Sequence, residues 1–232
     1  MTDKKKSDIY KLSWNEYVEK ELDVLAKKVL EYVKKNKIKI DAVVPLLRGG
    51  NIPATYLAYK LNVLRIAPVQ YKYFFKENVA NLVWIQKVDE KLFDKNAKLT
   101  FLLVEGNHCY GTSAKYAAKG LKEQFPNCKI IYATSNMDYN YQDAVDEYAE
   151  ISVYGRLNND CEELNKKKCI ELGIEPDKVI IFPWENEDEE WITFGEMKQF
   201  PFSDAKETED KSKLMEEFKL DELFPNSEEL KR

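Results

Sequence analysis

The sequence of 232 residues predicts an α/β fold, a mainly parallel central sheet with helices on both faces. Three observations predict it. Short apolar runs rich in Val, Ile and Leu recur along the chain, the pattern of strands buried on both faces. Segments with apolar residues at helical spacing separate them. Two of the runs end in glycine-containing loops that lead directly into helix starts.

The first element is helical. Ser13 with Glu16 three residues on forms a capping box, and Val18, Leu22, Leu25, Val29 and Tyr32 follow at helical spacing, so one helix is expected over about 14–35. Residues 41–47 read as a buried strand that stops in Arg48-Gly49-Gly50. A helix follows, with Asn51 as N-cap, Pro53 in the first turn and an inward face of Ile52, Leu57, Ala58 and Leu61. Residues 64–71 read as the next strand and 72–98 as a hairpin or mobile excursion. A strand at 99–104, a loop at 105–113 and a helix carrying Tyr116, Ala117, Leu121 and Phe125 make a second strand, loop and helix unit. Further strands are expected at 129–134, 150–154 and 178–182. The chain then divides into a main domain over 1–202 and a charged tail over 203–232, in which Leu214, Met215 and Phe218 form a docking helix.

Hydrophobic residues make up 44% and charged residues 33%, enough apolar material for a core and too mixed for a disordered chain. The formal charge of -5 excludes a general nucleic-acid coat, which needs a basic face. The N-terminus is charged with no apolar run behind it, so neither a signal peptide nor a membrane span is expected, and the cytoplasm is the expected compartment. Cys109, Cys128, Cys161 and Cys169 show no paired metal spacing, and reduced thiols are expected.

In sheets of this kind ligands bind beyond the carboxyl ends of the strands, which puts both glycine loops on one rim. The stretch from Leu102 to Ser113 sets a strand, a loop with Gly111 and a helix start in succession. Backbone N–H groups there, with the Thr112 and Ser113 hydroxyls, suit a phosphate; an ordinary helix cap is the bland alternative. His108 beside Cys109 also admits a thiolate or metal reading, with simple loop variation as its rival. Tyr71, Lys72, Tyr73 and Lys76 suit either a mobile loop over phosphates or an exposed hairpin.

The segment from Val104 to Ser113 resembles the loop of type I phosphoribosyltransferases that binds phosphoribosyl pyrophosphate (PRPP): an apolar strand, two acids, three variable positions, Thr-Gly and a final hydroxyl. Glu105 keeps the first acid, Gly111 the glycine and Ser113 the hydroxyl. Gly106 replaces the second acid, Cys109 the usual Asp and Tyr110 the usual Thr. Residues 47–54 resemble the pyrophosphate loop, and 180–185 resemble the C-terminal hood of the xanthine, guanine and hypoxanthine enzymes, with Val179 where a stacking aromatic stands and Phe182-Pro183-Trp184 open to a packing role.

The resemblance implies phosphoribosyl transfer from PRPP to a nucleobase of the purine type, with Mg²⁺ as cofactor and a homodimer as the common assembly. It implies catalytic roles for Glu105 and for Cys109 in the place of the Asp, with Glu105 also beside the metal. Arg48, Gly49 and Gly50 would hold pyrophosphate; Tyr110, Gly111, Thr112 and Ser113 the 5'-phosphate; Phe182 the base. The losses at 106 and 109 favour an alternative, a nucleotide sensor or assembly subunit without turnover; a different reaction on a phosphorylated sugar, using Cys109, is a third.

Overall fold

The computed structural model describes residues 9–76, 79–159, 164–174, 179–192 and 206–208. Cys161 and the docking helix expected around Leu214, Met215 and Phe218 lie outside the described residues.

Strand β1 (Ile9–Lys11) leads to Ser13, whose Oγ accepts from the Glu16 N–H while the Glu16 carboxylate accepts from the Ser13 N–H, at 3.3 and 3.2 Å. That capping box starts one long helix: α1 (Trp14–Tyr17), a π-helical turn Val18–Leu22, and α2 (Asp23–Asn36). The π turn is invisible to apolar spacing. Helix α2 ends at Lys37 in a left-handed conformation (φ 53°), and its fully buried Leu25 and Val29 pack on the sheet.

Strand β2 (Ala42–Leu47) is buried and runs into the glycine loop, whose Leu47–Arg48 peptide is cis. Helix α3 (Asn51–Leu61) follows, but its N-cap is Gly50, and Asn51 is already helical. Strand β3 (Val69–Lys76) starts later than the apolar pattern suggests, because only an isolated bridge from Ile66 to Val43 precedes it. It forms an antiparallel hairpin with β4 (Val79–Gln86).

Strand β5 (Thr100–His108) runs four residues past the expected end, leaving only Cys109–Gly111 as loop before α4 (Thr112–Gln124). Polar residues at 105, 107 and 108 hid the extension; they stay paired to β6 (Lys129–Asp138) through backbone bonds that ignore side-chain type. Strand β7 (Ile151–Asn158), helix α5 (Lys166–Leu172) and β8 (Val179–Ile181) follow.

Among the described residues, seven strands form the main sheet in the order β7-β6-β5-β2-β3-β4-β9, where β9 is Lys206–Thr208, within the segment read as a tail. Every pairing except β3 with β4 is parallel. Helix α4 covers one face over a core of Phe101, Phe125, Tyr132 and Trp84; α2 and α3 cover the other over Val43, Leu57, Leu102 and Ile131. The expected α/β architecture with helices on both faces is therefore the observed one. Strand β1 pairs in parallel with β8 in a separate two-stranded sheet.

Candidate functional site

Strands β2 and β5 are neighbours at the centre of the sheet, so the loops after them meet at its carboxyl edge. Between these loops and the β8 segment lies a cleft of about 340 Å³, large enough for part of a nucleotide.

Its floor carries Glu105. The Tyr132 hydroxyl stands 2.8 Å from the Glu105 carboxylate and 2.8 Å from Nδ1 of the buried His108, whose Nε2 lies 2.9 Å from the Tyr141 carbonyl. A carbonyl only accepts, so Nε2 bears the proton and donates. Desolvation raises the Glu105 carboxyl to about 7, against the hydrogen bond from Tyr132, and burial lowers His108 to about 4. His108 is thus a neutral core residue held through Nε2, with Nδ1 beside the Tyr132 oxygen, and the metal reading loses its basis.

The end wall is the start of α4. Gly111 caps it with φ 71°, and the first intrahelical bond is Lys115 N–H to Gly111 C=O, so the N–H groups of Thr112, Ser113 and Ala114 have no intrahelical acceptor. The Ser113 hydroxyl donates to the Tyr73 hydroxyl at 3.3 Å, and burial pushes Tyr73 up to about 12. Tyr73 therefore presents a neutral O–H to this wall. Tyr71, by contrast, stacks on Trp84 and donates to the Tyr116 carbonyl, a core role.

Gly49 and Gly106 face each other across the rim. A Cβ placed on Gly106 would lie 2.7 Å from the Gly49 carbonyl oxygen and 2.9 Å from its carbon, distances at which backbone must move. The main chain of the β2 loop thus fills the space a side chain at 106 needs. Cys109 lines the cleft but is disulfide-bonded, whereas Cys128 and Cys169 are free thiols. This corrects the reduced-thiol expectation at Cys109 and removes its catalytic role: a sulfur in a disulfide has no thiolate to stand in for a carboxylate.

The opposite wall is β8 and its continuation. Phe182 touches the cleft yet is 2% exposed, stacked on Trp184 and edge-on to Tyr17. Its N–H donates to the Glu185 carboxylate at 2.8 Å. Its main partners are core residues, in keeping with the packing alternative. Glu190 reaches the mouth, where burial raises its carboxyl and the positive charges of Arg48 and Lys72 offset part of that rise.

Of the residues expected at the site, Glu105, Gly49, Cys109, Tyr110, Gly111, Thr112, Ser113 and Phe182 line one cleft. Arg48 is exposed beside it, and Gly50 is buried behind it as the α3 cap. Asn107, Trp184 and Glu190 line the cleft without having been singled out as ligand contacts, and Tyr132 lies below it. Asn107, inside the loop motif, and Trp184, inside the hood segment, had a signal in the sequence; Glu190 and Tyr132 had none.

Among the described residues no helix is long and apolar enough to cross a membrane, and no group of three or more His, Cys, Asp or Glu is placed to hold a metal ion. The fold is that of the type I phosphoribosyltransferases. A purine phosphoribosyltransferase from Pyrococcus horikoshii Ot3 is similar at TM-score 0.51 and 19% identity, over 77% of this chain and 95% of that one. A hypothetical protein from Neisseria gonorrhoeae, solved with bound ppGpp, is similar at TM-score 0.54 and 16% identity, over 82% and 98%. No protein-family profile and no curated sequence matches the chain.

Proposed function

We propose that the cleft binds a 5'-phosphorylated ribose compound, PRPP or a purine nucleotide, and holds it without efficient phosphoribosyl transfer. The 5'-phosphate sits at the α4 N-terminus against Thr112, Ser113 and the Tyr73 hydroxyl, where helix dipole and N–H groups favour an anion. The observation that carries the reading is the close approach of Gly49 to Gly106, which leaves no room for a second acid. With one carboxylate, held near neutral by its surroundings, the ribose hydroxyls lack the paired acceptors that position the transition state. Mg²⁺ in this reading arrives on the ligand's own pyrophosphate oxygens rather than in a protein cage. The neighbour with bound ppGpp is a precedent for a purine nucleotide on this fold.

A second reading, slow transfer to a purine base, is favoured by the retention of Glu105 in the cleft. Calorimetric titration with PRPP and Mg²⁺ and with GMP, run beside a pyrophosphate-release assay over common nucleobases, separates the two. Saturable binding without release is expected; release with any base establishes the transferase, and absence of all binding refutes both.

A further inference from the structure

Beneath the cleft a chain of buried amides runs from Glu21 to Asn107. Glu21 lies on the π-helical turn with zero exposure, the Arg156 guanidinium is 3.8 Å from its Oε1, and its Oε2 is an acceptor. Asn136 donates through Nδ2 to Glu21 Oε2 at 2.6 Å, so its Oδ1 faces the other way. That Oδ1 accepts from Asn158 Nδ2 at 3.4 Å, and the same amide nitrogen donates to Asn107 Oδ1 at 3.3 Å. Each amide's orientation follows from the one before it. A carboxylate cannot donate, and an amide carbonyl cannot face another carbonyl. Asn107 therefore has its oxygen engaged, while its Nδ2 has no partner among the described residues and belongs to a side chain lining the cleft.

Building on the reading that the cleft takes a nucleotide, we infer that Asn107 is a specificity-determining residue: its amide N–H₂ is presented as a donor to a carbonyl oxygen on the base. Glu21, which is too deep to touch the ligand, is the positioning residue that sets the sign of that donor. A neutral carbonyl oxygen fits better here than phosphate, since the Glu21 carboxylate lies behind the amide chain. A site built to donate one hydrogen bond rejects a ligand that presents a donor of its own.

The test is calorimetry with IMP and AMP, which differ at one ring position by a carbonyl against an amino group. The parent protein should bind IMP about tenfold more tightly. Asn107→Asp, which offers an acceptor, should reverse the preference, and Asn107→Leu should erase it; unchanged melting transitions would show that both variants fold. Glu21→Gln, whose amide can point either way, should bring the IMP to AMP ratio toward one, a change that general loosening would not produce because it weakens both nucleotides alike. An unaltered ratio in both Asn107 variants overturns the inference while leaving nucleotide binding intact, and so does equal weakening of IMP and AMP in Asn107→Leu, which would place a phosphate oxygen there. A parent protein that binds neither nucleotide overturns the functional reading and this inference with it.

Discussion

Residue by residue, the cleft departs from its resemblance in ways that chemistry makes hard to reverse. Restoring the missing acid with Gly106→Asp drives a side chain into the Gly49 carbonyl, and overpacking of this kind costs about 1–3 kcal/mol. We expect the variant to unfold at lower urea and to gain no pyrophosphate release; release at parental stability would show that the two loops part readily. Glu105 and His108 make a second, paired prediction. A carboxyl raised to about 7 binds its proton more tightly in the folded chain, so its contribution is full below its ordinary value near 4.5 and is lost as pH rises toward 7. An imidazole lowered to about 4 acts in the opposite sense, since the unfolded chain protonates first and stability is lost as pH falls from about 6.5 toward 4. Across about pH 4.5 to 6.5 the two slopes oppose. Relative to the parent, Glu105→Gln should show stability climbing with pH in that window, and His108→Asn stability falling; urea midpoints at three pH values would read both, and parallel profiles would count against the assigned environments.

At the scale of elements, helix α4 carries Gly120 in its middle, where alanine in an exposed helix would be worth about 1 kcal/mol. Here a Cβ would lie 2.3 Å from the Trp84 ring, which is itself stacked on Tyr71. Gly120→Ala should therefore lower stability, by about 1–3 kcal/mol, and a gain in the urea midpoint would mean that the Trp84–Tyr71 stack yields easily. The helix itself was legible from Tyr116, Ala117, Leu121 and Phe125, whose spacing reports burial directly; the tryptophan that dictates glycine comes from a different strand and leaves no local trace. The same division holds elsewhere. The capping box at Ser13 and Glu16 is a contact between near neighbours in sequence and could be read, whereas the π turn, the late start of β3 and the extension of β5 to His108 depend on strands far away. In the site, the rim loops were legible because glycine and hydroxyl residues announce backbone needs. The bonds from Tyr132 to Glu105 and from Asn136 to Glu21, which set charge and polarity, join positions 27 and 115 residues apart and were not.

For the molecule as a whole, the wall opposite the phosphate cradle is also a piece of core. Phe182 joins Leu12, Tyr17, Leu22 and Ile180 in one buried cluster, so Phe182→Ala should destabilise the protein by about 3–5 kcal/mol, read by thermal melting. Phe182→Leu, which keeps most of the apolar volume, should retain ligand affinity; a stable Leu variant that has lost binding would assign the ring to the ligand instead. The parallel pairing of Ile9–Lys11 with Val179–Ile181 also orders events in time. During synthesis the first strand leaves the ribosome about 170 residues before its partner, while β2, β5 and β6 can assemble with shorter delays. The central sheet can thus form while one side of the cleft is still missing, and a nascent chain acquires its ligand only after β8 has been made and has closed against the N-terminus.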